Sequence, residues 1–485
     1  MPDSQERKWL ALVLLCAAQF MVVLDVSIVN VALPSIERGL HFSEQNLLWV
    51  LNAYTLLFGG FLMLGGRVAD NLGRRGVFIA GVALFSTASL FCGLATSGTW
   101  LVTARAVQGL GAAIASPAAL SILTVTFEEG RERNRALSIW GAIAGAGGAF
   151  GVLLGGVLTQ EVGWPWIFYV NVPIGAAVIV GSLSVLARRP GEKVHGFDVP
   201  GAVIVTAGLS LLVFALVKSN DWGWASARTV STMVASGLLL GGFVLVEKRA
   251  AAPLVPLGIF RNRSLSVSNG VSLILGASIF SMFYFLSLYM QQVLGYSALK
   301  TGIGYLSIAG AIIVAAGAAQ ALVAKIGVRA VLAIGMALSA GGLGYFSRIG
   351  VHGSYVGTLL PGFLMAGVGL GLSFVPVTIG AMSGVPPREA GVASGLITTT
   401  QQVGGALGVA VLSAVAVSAT ATFLRSSRHG ASAMAAGLTH GFSVAFLCGA
   451  CVAGAGAIVT LVGFARSGQA HHEVMAGELL APDQA

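Results

Sequence analysis

Residues 19–34 read QFMVVLDVSIVNVALP and close an apolar run that starts at Trp9. About 20 such residues suffice to cross a hydrocarbon core of about 30 Å as a helix. The run therefore reads as a membrane span, and Asp25 in its middle as a carboxylate where lipid tolerates none. The preceding MPDSQERKWLALVLL has the charged start and apolar run of a signal peptide. That run continues to Leu33 without a small-residue cleavage site, so it is expected to stay as the first helix.

The pattern recurs along the chain. Of 485 residues, 56% are hydrophobic and 9% charged, with mean hydropathy +0.88, against about 45–50% apolar and about 25% charged in soluble domains. Backbone groups in lipid must be satisfied internally, so an all-α polytopic membrane protein is expected. Fourteen transmembrane helices are placed at 9–33, 47–69, 76–95, 100–123, 137–159, 166–187, 199–217, 229–246, 265–292, 301–323, 330–349, 355–380, 391–419 and 440–465. No stretch between them is long enough for a separate soluble domain.

With the N-terminus in the cytoplasm, 19 Lys and Arg fall on the inner side and 7 on the outer, with Arg105 left inside a span. The excess fixes the orientation, with both termini cytoplasmic. It also explains the net charge of +9: the basic residues are scattered over short loops and make no aromatic-studded patch for nucleic acid. Cys16, Cys92, Cys448 and Cys451 all lie in apolar spans and read as small buried hydrophobes.

Two loops repeat at nearly the same offset. GRVADNLGRR after the second span matches AKIGVRA after the tenth, pairing Gly73 with Gly327 at 254 residues. RNRALS after the fourth matches REAGVAS after the twelfth, pairing Arg133 with Arg388 at 255. The expected organisation is a six-helix half at 1–187, two inserted helices with linkers at 188–264, a second six-helix half at 265–465 and a cytoplasmic tail at 466–485. Parallel repeats of this kind belong to rocking transporters whose substrate site lies near the midplane between the halves.

A charge at the centre of a membrane helix costs between about 2.5 and over 10 kcal/mol, which makes a retained one a functional candidate with a partner to be named. Asp25 and Arg105 are the clear cases; between Glu247 and Glu389 the chain has no acid at all. At 1.5 Å per residue, Asp25 lies about 12 Å and Arg105 about 8 Å below the outer ends of their spans, within about a turn of each other. A structural ion pair, or a snorkelling Arg105, is the alternative to a functional pair. The functional reading is that a conformational change or a bound substrate separates the two, and the carboxylate then takes up a proton.

Further motifs give the pattern a family. LDVSIVNVALP on the first span, GRVADNLGRR after the second, LVTARAVQGLGAA on the fourth, WPWIFYVNVPIG at the sixth, FDVPGA at the seventh and PLVPLGIFRNR before the ninth stand in this order. Together they resemble the major facilitator superfamily, and within it the fourteen-helix branch of drug:proton antiporters. The resemblance implies a major facilitator fold of two six-helix halves plus two inserted helices. It implies a conformational latch at Gly66, Arg67, Asp70, Gly73, Arg74 and Arg75, and proton coupling through Asp25 and Arg105, with Gln108 and Gly109 in the fourth-helix motif. Gly147, Gly151 and Gly155 match the small-residue motif of the fifth helix, whose spacing permits close backbone approach. The family commonly has Gly-Pro where this chain has Gly151 and Val152, so this motif speaks less strongly for export over import.

Polar and aromatic residues inside the spans that can line a cavity are Gln19, Asn30, Asn52, Tyr54, Gln108, Tyr284, Tyr289, Gln292, Phe374 and Gln401. An apolar, aromatic cavity with few fixed charges suits an amphipathic drug-like small molecule. The expected function is a secondary transporter in the lipid bilayer that exports such molecules for protons, acting as a monomer. An uptake symporter and a membrane sensor without net transport are the other readings. No enzyme chemistry, metal or cofactor is expected, since the proton gradient supplies the drive. GYSALKT at 295–301 lacks the glycine a phosphate loop needs before its lysine, and His471, His472 and Glu473 have no further ligand cluster. Arg outnumbers Lys by 21 to 6 and Gly reaches 67, the usage of a GC-rich bacterium, which points to a bacterial cytoplasmic membrane and an antibiotic exporter.

Overall fold

The structure is a computed structural model that describes residues 4–128, 131–187, 198–250, 253–385, 390–426 and 433–464. Among these residues every regular element is helical. The first part comprises α1 (Ser4–Leu40), the single turn α2 (Glu44–Leu47), α3 (Trp49–Leu72), α4 (Arg74–Gly93), α5 (Gly98–Thr126), α6 (Arg131–Glu161), the turn α7 (Trp166–Tyr169) and α8 (Asn171–Val185). Next come α9 (Val199–Trp222) and α10 (Ala227–Arg249). The last part comprises α11 (Arg263–Leu288), α12 (Ala298–Phe346), α13 (Leu360–Met382), α14 (Ala390–Ser426) and α15 (Ala433–Gly463).

Capping chemistry sets several starts. Ser97, Asp198, Ser226, Asn262 and Ser297 each accept a hydrogen bond from a backbone N–H in the first turn of α5, α9, α10, α11 and α12, satisfying a donor that the helix leaves open. Hydropathy marks only the part of a helix that suits lipid, so several helices outrun their expected spans. α1 has 37 residues, about 55 Å of helix, and carries Pro34 near its end.

Among the described residues, twelve helices are long and apolar enough to cross a bilayer. One of them, α12, unites the spans expected at 301–323 and 330–349 and breaks at Gly327, with φ 82° and ψ 160°. Gly73 joins α3 to α4 with a similar φ of 99°. Only glycine adopts such a backbone at little cost, so the two glycines paired by the sequence offset make the same kind of helix junction. α6 is a further helix of 31 residues, rich in Gly and Ala through its centre. Arg388 and the tail at 466–485 lie outside the described residues.

α1 packs on α6 and α8, while α3 and α4 pack on α5. Their shared interior includes Leu15, Met21, Phe78 and Phe85. In the last part α12 packs on α13 and α15, and α11 on α14, around contacting rings of Phe285, Tyr305, Phe346, Phe363 and Phe446. The two groups meet through α3 against α14, α6 against α12 and α1 against α11. α9 lies on α3 and α14, whereas α10 lies on α9 and turns Val230, Val234 and Leu238 outward, as a lipid-facing helix does.

Candidate functional site

Asp25 and Arg105 meet. Arg105 Nη1 donates to Asp25 Oδ2 at 2.5 Å, and both residues are fully buried, at 0% exposure. They meet inside the packing of α1, α4, α5 and α8, not across a cavity between the two helix groups. The guanidinium also donates from Nη1 to Gln108 Oε1 at 2.7 Å and from Nε to the Val50 carbonyl at 3.0 Å. Its face is covered by the Tyr54 ring, 4.3 Å from the guanidinium carbon, an attractive placement for a cation. Gly109 makes this possible: a Cβ there would fall 2.4 Å from the Tyr54 carbonyl oxygen, so only glycine lets α5 approach α3 so closely.

The second oxygen of Asp25 is equally engaged. Oδ1 accepts from Gln108 Nε2 at 2.8 Å and from Asn171 Nδ2 at 3.1 Å. Gln108 and Asn171 also donate to Ser89 Oγ, at 3.1 and 3.0 Å, and Ser89 donates onward to the Phe168 carbonyl at 2.9 Å. Cys92 Sγ lies 3.5 Å from Gln108 Oε1. A buried carboxylate is tolerable only when paired and hydrogen-bonded; here α5 and α8 supply the donors to Asp25, and Ser89 of α4 positions two of them.

Asn171 and Ser89 escaped the sequence reading. Asn171 stands inside the quoted WPWIFYVNVPIG, an amide in an apolar stretch, and that was the available signal. Ser89 gave none, because serines are common in membrane helices.

The glycine stripe of α6 lies on the helix that carries Asp25. A Cβ at Gly151 would fall 2.7 Å from Ser27 Cβ, and one at Gly155 2.8 Å from the Ile28 carbonyl oxygen, while Gly147 faces Val23. On the neighbouring face of α6, Gly156 abuts Ala298 and Leu299, and the Val152 carbonyl abuts Gly302 of α12. α6 is thus wedged between α1 and α12.

Of the expected latch residues, Arg75 donates to the Leu183 carbonyl at 2.5 Å, at the C-terminal end of α8 where cations are favoured. Arg67 donates to the Pro253 carbonyl beyond α10. Gly66 faces Pro117 of α5, Gly73 forms the junction described above, and Arg74 opens α4. The side chain of Asp70 lies outside the described residues.

The expected cavity residues divide. Asn30, Asn52, Tyr54, Gln108, Tyr284 and Tyr289 are buried, whereas Gln19, Gln292, Phe374 and Gln401 are partly exposed. Gln19 accepts from Ser116 at 3.1 Å, and Tyr289 donates to the Gly350 carbonyl at 2.6 Å. Asn52 Nδ2, Asn30 Oδ1 and Tyr54 Oη are buried without a partner among the described residues. At the end of α1 opposite its N-terminus, Gln291 donates to the Val31 carbonyl at 2.8 Å and Gln292 to Glu37 at 2.7 Å. These bonds tie residues 289–293 to α1 beside a cavity of about 710 Å³ that Glu37, Arg38, Gln160, Gln292 and Tyr296 help to line.

The sequence pattern that defines the Major Facilitator Superfamily matches residues 15–409. The chain belongs to this superfamily. It is 44% identical over 416 residues to the cephamycin export protein CmcT of Amycolatopsis lactamdurans, covering 84% of this chain and 85% of that protein. It is 39% identical to the puromycin resistance protein pur8 of Streptomyces alboniger, over 92% of this chain and 88% of that one. Among solved structures, the crystal structure of the POT family transporter PepTSo superposes with a TM-score of 0.70 at 15% identity, over 97% of this chain and 99% of that one. The fold is therefore the all-α polytopic fold of this superfamily. The chain is a multi-pass bacterial membrane transporter related to antibiotic export and resistance proteins.

Proposed function

We propose that this major facilitator exports amphipathic, antibiotic-like molecules in exchange for protons, by alternating access, as a member of the fourteen-helix branch. The observation that carries the reading is the fully buried carboxylate of Asp25, held at 2.5 Å by Arg105. A desolvated acid whose donors come from α5 and α8, themselves held by Ser89 of α4, is sensitive to how those helices pack on α1. In this reading Asp25 and Arg105 couple the proton to the conformational change. The stripe at Gly147, Gly151 and Gly155 transmits movement between α1 and α12 through α6. The motif from Gly66 to Arg75 latches the conformational states.

The count of fourteen takes α12 as two spans and adds α6 to the apolar helices. The halves at 1–187 and 265–465 rock about the inserted helices at 188–264, with both termini and the tail at 466–485 in the cytoplasm. With the arginine-rich loops inside, the bonds from Gln291 and Gln292 close the outer mouth. The substrate then enters from the cytoplasmic side, near Gln19, Phe374 and Gln401. The relatives' names, one for cephamycin export and one for puromycin resistance, support a substrate of the antibiotic class, carried by a single chain without a cofactor.

Expression in a pump-deficient host, challenged with a panel of antibiotics and dyes, tests the reading. The wild-type chain should raise the inhibitory concentration of several amphipathic compounds, and Asp25→Asn should lose that protection at equal membrane abundance. Protection by the wild type against none of them, or undiminished protection by Asp25→Asn, contradicts it.

A further inference from the structure

The inserted helices carry two carboxylates that the site at Asp25 does not use. Asp198 caps the start of α9 and Glu247 lies in the last turn of α10, and they are only 6% and 4% exposed. Their side chains lie within hydrogen-bonding reach of each other. Each spends one oxygen on backbone: Asp198 Oδ1 accepts from the Gly201 N–H at 2.8 Å, and Glu247 Oε2 from the Val255 N–H at 3.2 Å. The other oxygen of each, Asp198 Oδ2 and Glu247 Oε1, is buried with no partner among the described residues.

Among the described residues the charges around the pair do not balance. From α3 the facing cation is Arg67, which donates to the Pro253 carbonyl and feels the field of both acids. α9 and α10 contribute the two acids themselves, and the segment after α10 offers backbone amides. α11 and α14 bring apolar side chains, Leu265, Ala393 and Leu396, which with Leu64, Ala202 and Leu254 form one buried cluster. One guanidinium offsets one carboxylate, so two ionised acids leave a buried negative charge and two vacant oxygens at close range. Both are unfavourable in a dry setting. A single proton cures both faults, because a protonated carboxyl donates to the vacant oxygen of its neighbour. Gly201 leaves room for this arrangement: a Cβ there would fall 2.3 Å from Asp198 Oδ2.

We propose that Asp198 and Glu247 hold one proton between them, a second protonation site that fastens the inserted helices to Arg67 of α3. The site stands apart from Asp25 and does not depend on that residue's role. It sits where α3, the inserted pair and helices α11 and α14 converge. Loss of its proton sets the two carboxylates against each other and loosens the inserted pair from α3.

Infrared spectroscopy of the purified full chain in lipid nanodiscs tests this, in an Asp25→Asn background that removes the other acid buried among the described residues. At neutral pH the parent should show the carbonyl stretch of a protonated carboxyl, shifted on deuterium exchange. That band should vanish in Glu247→Gln and equally in Asp198→Asn, because each leaves one acid facing Arg67. The amides keep the backbone acceptor and supply an N–H in place of the shared proton, so both variants should elute and melt as folded protein. Should one fail to fold, the other still decides. A parent without the band, or a band that survives in a folded variant, overturns the proposal.

Discussion

Arg105 is tied to three acceptors, the Asp25 carboxylate, the Gln108 amide oxygen and the Val50 carbonyl, and each comes from a different stretch of helix. Removing one member of such a buried pair costs about 3–5 kcal/mol, because the other charge is left uncompensated. Arg105→Ala should therefore lose stability on that scale, and Asp25→Asn added to it should restore part of the loss. Denaturation of the single and double variants in detergent gives the coupling energy; strictly additive effects would mean that the pair does not interact in solution. Asp25→Asn alone should cost on the same scale, because it leaves the buried Arg105 guanidinium without its counter-charge. Asp25 and Arg105 were legible in the sequence because charges are so rare within these spans that depth along the helix sufficed to match them. Asn171 and Ser89 were not, and Tyr54 was expected to line a cavity and not to cover Arg105, since neutral polar groups and aromatics recur in most spans and nothing in their spacing tells which face they occupy.

Among the elements, α6 bears directly on the site through the helix that holds Asp25. At Gly151 a side chain meets Ser27 Cβ at 2.7 Å and the Leu24 carbonyl oxygen at 3.0 Å, so α6 and α1 must separate to admit one. Overpacking of this kind typically costs about 1–3 kcal/mol. Gly151→Leu should lower the melting temperature and abolish transport, whereas the same change at Gly237, with open space around its missing Cβ, should leave both almost unchanged. Equal effects at the two positions would remove the case for a specific contact. The existence of the helices was legible because apolar length is the signature of a span. Their ends were not, because helix propensity continues beyond the lipid: α1 runs to Leu40, and α12 passes through Gly327 with only a local break. That Gly73 and Gly327 share a positive φ gives the sequence repeat a physical basis, since both positions join consecutive helices by a backbone that only glycine adopts readily.

For the whole molecule, the described contacts join the two helix groups through α1, α3 and α6 on one side and α11, α12 and α14 on the other. Movement at that interface acts on α1 directly and through α6, and so reaches the donors around Asp25. One proton crossing about 100 mV supplies about 2.3 kcal/mol, enough to hold roughly a 50-fold gradient of a neutral substrate. One proton exchanged for one monovalent cation moves no net charge and depends on the pH gradient alone. The central claim is that Asp25 couples these two flows. It is tested most directly in proteoliposomes with an acidic interior, following proton movement when an antibiotic identified in the host panel is added outside. The account predicts substrate-dependent proton efflux with the wild-type chain and none with Asp25→Asn of equal folded content. Proton efflux undiminished in Asp25→Asn, or proton entry together with the substrate in the wild type, would contradict it.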